Sequence, residues 1–242
     1  MDKISENIIP ELLKLLNTKV SSETTIEIIK IFENKKISID AILDGYENTA
    51  LTLAGQHGQI EIVKYLVANG ANIEAANSNG DTALIAAAAK GHKEVVEHLV
   101  TNGANIEAAN KYGNTALLLA AAKGHKEVVE HLVTNGANIE AANTNGVTAL
   151  IVAAANGNRE VVKCLIEKLA NIEAANKYGN TALILSADNA NKEIVEHLVT
   201  NGANIEAANS DGNTALIAAA SQGHIEVVKC LIEKLANIEA AN

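Results

Sequence analysis

The chain has 242 residues, 48% of them apolar but only five aromatic, and it carries a formal net charge of −10. Its core must therefore be aliphatic, and the negative balance disfavours nucleic acid and anionic membrane as partners. No stretch approaches the ~20 apolar residues of a membrane span, and Met1-Asp2-Lys3 leads into Ile4-Ser5-Glu6-Asn7 rather than the apolar run of a secretory signal.

Residues 1–43 predict two amphipathic helices, Asn7 to Leu16 and Thr24 to Phe32. Ser21 or Ser22 can cap the second, and Pro10 is acceptable only near a helix start. Ile26-Glu27-Ile28-Ile29-Lys30 mimics the later Ile225-Glu226-Val227-Val228-Lys229, and Ile39-Asp40-Ala41 mimics Ile238-Glu239-Ala240. The segment reads as a degenerate, polar-backed N-terminal cap on the rest of the chain.

Beyond it, Thr49, Thr82, Thr115, Thr148, Thr181 and Thr214 each open a Thr-Ala-Leu triplet, at a fixed spacing of 33 residues. Such a period marks a stacked architecture in which each unit buries its apolar face against its neighbours. The units run 44–76, 77–109, 110–142, 143–175, 176–208 and 209–241, and Asn242 would begin a seventh. In the unit 110–142, Asn110-Lys111-Tyr112-Gly113 is a turn signal. Thr115 can cap a helix over Ala116 to Lys123, which Gly124 stops. Lys126 to Thr134 forms a second helix with Val128, Val129, Leu132 and Val133 on one stripe. Asn135-Gly136 supplies a left-handed exit, and Ala137 to Ala142 extends toward the next turn.

This pattern resembles the ankyrin repeat, through Gly113-Asn114-Thr115-Ala116-Leu117, Gly124-His125 and Gly136-Ala137, with six copies in register over 44–241. The resemblance implies an all-α fold, an ankyrin-repeat solenoid of helix-turn-helix units with short β-hairpin fingers. Two departures recur. The family's Pro is Ala in every copy (Ala50, Ala83, Ala116, Ala149, Ala182, Ala215). Its His is apolar in five (Ile85, Leu118, Ile151, Ile184, Ile217) and Thr52 in the first. The family's Thr–His link should be missing, with packing in its place. Four units leave the second helix through Gly (Gly70, Gly103, Gly136, Gly202), whereas Leu169 and Leu235 stand there in the other two. At those positions either the turn is strained or the helix runs on.

The residues that suggest chemistry have structural readings beside the functional ones. Cys164 and Cys230 occupy one position in two repeats. If units stack at about 8–10 Å, the sulfurs lie roughly 20 Å apart, beyond the about 7 Å Cα limit of a disulfide. Both are expected to be free core thiols in a reducing, cytoplasmic compartment. His92 and His98 lack the i, i+4 spacing of a zinc-protease helix, and equivalent histidines one repeat apart are too distant to share a metal. The ladder Glu74, Glu107, Glu140, Glu173, Glu206 and Glu239 reads as a solvated face, with a site for a basic partner as the sharper alternative. There is no phosphate-cradling loop, no nucleophile elbow and no Cys-x-x-Cys. The chain is expected to be no enzyme and to hold neither metal nor cofactor.

The remaining information lies where the copies differ. In the ankyrin family partners usually dock on the finger tips and the first-helix surface. Carried onto this sequence, that implies a protein partner at Tyr46, Asn79, Asp81, Lys111, Tyr112, Asn114, Asn145, Lys177, Tyr178, Asn180, Asp211 and Asn213 on the fingers, and at Lys90 and Lys123 on first helices. Tyr112 and Tyr178 are equivalent, and Tyr46 extends their row. Exposed tyrosine is a common hot-spot residue, although these rings can equally cover neighbouring fingers. The favoured function is a protein–protein interaction scaffold that binds on its concave face. One alternative is a targeting or recruiting module of a longer protein, or an effector delivered into a host cell. The stop at Asn242 favours a truncated chain. Another is an array that self-assembles through its ends, because the last second-helix stripe, Val227, Val228, Leu231 and Ile232, has no next repeat to cover it.

Overall fold

In each of the six repeats a threonine before Ala-Leu stands just ahead of the first helix. A computed structural model of the chain describes residues 3–17, 21–34 and 37–240. In it Thr82, Thr148, Thr181 and Thr214 hold extended backbone, and each hydroxyl accepts from the N–H three residues on, at 3.4, 3.4, 3.3 and 3.4 Å. Thr49 makes a reciprocal capping box with Thr52. Second helices stop where the predicted glycines take a left-handed turn, with φ of 82° at Gly70, 87° at Gly103, 91° at Gly136 and 92° at Gly202.

The elements come in pairs: α1 (Lys3–Leu16) and α2 (Ser22–Asn34); α3 (Ala50–Gln56) and α4 (Ile60–Ala68); α5 (Ala83–Lys90) and α6 (Lys93–Thr101); α7 (Ala116–Lys123) and α8 (Lys126–Thr134); α9 (Ala149–Ala155) and α10 (Arg159–Glu167); α11 (Ala182–Asp188) and α12 (Lys192–Thr200); α13 (Ala215–Ser221) and α14 (Ile225–Ala240). The fold is all-α. The fingers between pairs are tight turns rather than paired strands. Single antiparallel bridges close three of them, Ala76 with Thr82, Ala109 with Thr115 and Ala175 with Thr181.

These elements gather into two compact units. In the first, Met1–Ala116 with Thr134–Ala137, first helices pack on first helices (α1 on α3, α3 on α5) and second on second (α2 on α4, α4 on α6). Leu12, Leu16, Ile28, Leu51, Ile62, Leu66, Leu84, Ile85 and Leu99 are fully buried there. Phe32 of α2 meets Tyr65 of α4 with ring centroids 6.4 Å apart. Ser21, rather than Ser22, caps α2, its hydroxyl accepting from Thr24 N–H at 3.2 Å. Pro10 departs from expectation. α1 begins at Lys3, so Pro10 lies inside the helix and removes one backbone bond; its exposed ring avoids the core.

The second unit, Leu117–Val133 with Asn138–Asn242, repeats the scheme: α9 on α11 on α13, and α10 on α12 on α14. Leu132, Leu150, Ile151, Val162, Leu165, Val195 and Leu198 form its core. The family's missing histidine is replaced by packing, since Ile85, Leu118, Ile151 and Ile184 are all buried. The two leucine exits resolve in opposite ways. Leu169 enters the left-handed region at φ 66°, whereas α14 runs through Leu235 to Ala240.

Candidate partner-binding surface

Each finger is built around one asparagine or aspartate. Its side-chain oxygen accepts two backbone N–H groups from the tip and so fixes the turn. Asn110 Oδ1 takes Tyr112 N–H and Asn114 N–H, both at 3.0 Å, and Asp44 Oδ1 takes Tyr46 and Asn48 at 2.9 and 3.0 Å. Asn77, Asn143, Asn176 and Asn209 do the same in their fingers. Reading the sequence for binding residues misses these anchors. Their signal there is an Asn recurring at the repeat period two residues before each tip.

The tip residue then points to solvent. Tyr46, Tyr112 and Tyr178 are 69%, 60% and 64% exposed. Asn79, Lys111, Asn145, Lys177 and Asp211 are exposed beside them or at equivalent tips, as are Lys90 and Lys123 at first-helix ends. Asp81, Asn114, Asn180 and Asn213 are only half-buried, and Asp81 and Asn180 join fingers. Asn110 Nδ2 donates to Asp81 Oδ1 at 2.8 Å, and Asn209 Nδ2 to Asn180 Oδ1 at 2.8 Å. Backbone bonds run alongside: Ser78 N–H to the Tyr46 carbonyl at 2.7 Å, and Ser210 N–H to that of Tyr178 at 2.9 Å. The Tyr178 ring therefore stands on backbone tied to both neighbouring fingers, since Lys177 N–H also reaches the Asn145 carbonyl at 3.0 Å; Tyr46 is tied to the finger after it, and Lys111 beside Tyr112 to the Asn79 carbonyl before it.

Two further sets of residues prove to be staples. The glutamate ladder accepts backbone N–H groups from the following repeat: Glu74 from Asn105 at 2.7 Å, Glu140 from Asn171 at 2.7 Å and Glu173 from Asn204 at 2.9 Å. It is therefore not merely solvated: these exposed carboxylates tie one repeat to the next. The residue just before a second helix reaches back to carbonyls ending the preceding first helix. His92 Nε2 donates to Gln56 O at 3.0 Å and His224 Nε2 to Asp188 O at 2.8 Å. Asn158 Nδ2 reaches Ala121 O at 2.8 Å, and Asn191 Nδ2 reaches Ala154 O at 3.0 Å. Histidine and asparagine interchange here because each offers a side-chain N–H at that reach.

Cys164 and Cys230 are free and buried, and burial pushes both thiols up, away from the reactive thiolate. Among the described residues no group of three His, Cys, Asp or Glu side chains could hold a metal ion. No helix among them is long and apolar enough to cross a membrane. A groove of about 810 Å³ in the first unit lies beside α2 and the α3–α4 turn; its lining mixes Ile26 and Ile29 with Asn17, Ser21 and His57.

Residues 46–78 match the family model for the ankyrin repeat. The segments 69–143, 99–176, 132–209 and 169–242 match the family model for ankyrin repeats in three copies. No curated protein gives a significant match to the chain.

Proposed function

The chain belongs to the ankyrin-repeat family over residues 46–242, and on that premise we propose that it is a non-catalytic recognition scaffold that holds another protein against its finger tips and first-helix ends. Ankyrin repeats are in general protein–protein interaction modules. The observation that carries the finer reading is the set of exposed tyrosines on immobilised turns. A rigid aromatic side chain held by fixed backbone loses little entropy on binding, and tyrosine dominates hot spots for that reason. Lys111 and Lys177 beside Tyr112 and Tyr178 favour a partner whose contact surface combines apolar and acidic groups.

We read 1–43 as the N-terminal cap and 44–241 as six repeats in the register set by the threonines. The protein acts in a reducing compartment inside the cell, which suits two free thiols held inert in the core. The test is capture of the partner on the immobilised chain, identification by mass spectrometry, and measurement of its affinity for variants. Tyr46→Ala with Tyr112→Ala should weaken binding by more than about 2 kcal/mol, roughly thirtyfold. Unchanged affinity there and in Tyr178→Ala would remove the tips from the site.

A further inference from the structure

An asparagine followed by glycine is prone to attack on its side-chain amide by the next backbone nitrogen, because glycine puts no side chain in the way. The chain contains seven such pairs. Five stand just past helix ends, at Asn69, Asn102, Asn135, Asn156 and Asn201. The other two, Asn79-Gly80 and Asn145-Gly146, are finger tips. What holds the side chain separates the two groups.

At the helix ends the amide is engaged. Asn69, Asn102 and Asn201 turn Nδ2 back along their own helices onto the carbonyl four residues earlier, at 2.8, 2.8 and 2.7 Å. Asn156 Nδ2 donates to the Ala122 carbonyl of the preceding repeat at 3.0 Å. Asn135 follows α8 at the repeat position of Asn102. At the tips the backbone is held and the side chain is not. Asn79 N–H donates to Asn77 Oδ1 and Asn145 N–H to Asn143 Oδ1, both at 2.9 Å, while their carbonyls accept from Lys111 and Lys177 at 3.0 Å. Both side chains are exposed, and among the described residues neither side-chain amide makes a hydrogen bond. The attacking nitrogens are bonded in both groups. Gly80 and Gly146 donate to the Asn77 and Asn143 carbonyls at 2.8 and 2.9 Å, and Gly70, Gly103 and Gly202 donate at 3.1, 3.1 and 3.0 Å. Each must open locally, but at the helix ends a side-chain bond must open as well.

We propose that Asn79 and Asn145 are the sites at which the folded chain deamidates, with water as the co-reactant. The Gly80 nitrogen bonds to Asn79 Cγ and gives up its proton. The Cγ–Nδ2 bond breaks, and Nδ2 leaves as ammonia with that proton. Water then opens the cyclic succinimide, its hydroxyl going to a carbonyl carbon and its hydrogen to the Gly80 nitrogen. Opening at Cγ leaves aspartate; opening at the main-chain carbonyl leaves isoaspartate. Asn145 and Gly146 react in the same way. Aspartate suits this turn, because Asp211-Gly212 already occupies the same tip position, with Asp211 N–H on Asn209 Oδ1 at 3.0 Å and Gly212 N–H on the Asn209 carbonyl at 2.9 Å. Isoaspartate does not, since it turns the carbonyl that accepts from Lys111 N–H into a carboxylate outside the main chain. The reaction stands whether or not the tips bind another protein.

The test incubates the purified chain in mildly alkaline buffer, with and without urea, and follows each Asn-Gly pair by peptide mapping with fragment-ion mass spectrometry. In the folded chain Asn79 and Asn145 should acquire the acid at least about fivefold faster than the five helix-end asparagines, the ratio set by one further hydrogen bond to break. Each should yield separable Asp and isoAsp forms. In urea the difference should vanish, because the bonds that protect the helix ends are gone. Asn79→Gln should stop the reaction in its own finger and leave Asn145 unchanged. Helix-end asparagines that react as fast as the tips in the folded chain, or a preference for the tips that persists in urea, would overturn the proposal.

Discussion

Leu169 is a residue at odds with its own backbone. It holds φ 66° where four other repeats have glycine, and its side chain is 88% exposed, so no packing compensates. The turn survives on backbone bonds, Leu169 N–H to Ile166 O and Ala170 N–H to Leu165 O, each 2.9 Å. A side chain in this region costs about 1 kcal/mol, and glycine's greater freedom when unfolded returns part of that. Leu169→Gly should therefore raise the free energy of unfolding by about 0.5 kcal/mol, read as a higher urea midpoint. A lower midpoint would mean that Leu169 contributes contacts its exposure does not suggest. The sequence exposed this position because a leucine broke a run of glycines. It did not expose the asparagine anchors, because an Asn that accepts two tip amides looks the same in a sequence as one that merely begins a turn.

At the scale of the element, the fingers are the parts whose conformation depends most on single side chains. Asn110 accepts from Tyr112 and Asn114 and donates to Asp81. Asn110→Ala removes all three bonds, and at about 1 kcal/mol each, less what water restores to an exposed turn, the loss should be about 2 kcal/mol. Amide exchange at Tyr112 and Asn114 should quicken in step. Exchange as slow as in the parent would show that the bridge from Ala109 to Thr115 suffices. Helix starts were legible because capping chemistry is local. The end of α14 was not. Val161–Asn176 and Val227–Asn242 have the same sequence, yet α10 stops at Glu167 while α14 continues to Ala240. Following Leu169, Asn171 N–H is bound by Glu140 and Lys177 N–H by the Asn145 carbonyl. Among the described residues no such tether comes after Leu235, and helix propensity prevails there.

For the whole molecule, pH acts through partly buried histidines more than through surface ion pairs, which contribute little each. Burial lowers His57 below its ordinary 6.5, with His92 and Lys90 adding repulsion, and burial lowers His98 as well. Just below pH 6.5 the unfolded chain then binds more protons than the folded one. Stability is complete above that value and declines as pH falls through it toward the folded values. The melting temperature should drop between about pH 7.5 and 5.5, and less so in His57→Gln. An equal drop in that variant would assign the effect to other groups. The fold was legible at this scale from the period alone, since six in-register copies leave few other ways to bury the apolar stripes. The division into two compact units was not, because the copies on either side of it are nearly alike in sequence.

The staples between repeats, in which the later repeat donates and the earlier one accepts, bear on how the chain is made. A ribosome releases the earlier repeat first, at about 5–20 residues per second, so a repeat of 33 residues emerges over seconds. Helices form within about a microsecond. Each finished repeat therefore waits with its acceptors in water, where carbonyls and carboxylates are well hydrated, and the emerging repeat brings the donors that close the joint. Synthesis and assembly run in the same direction, and within either unit no repeat has to wait for a piece of chain more than one repeat away.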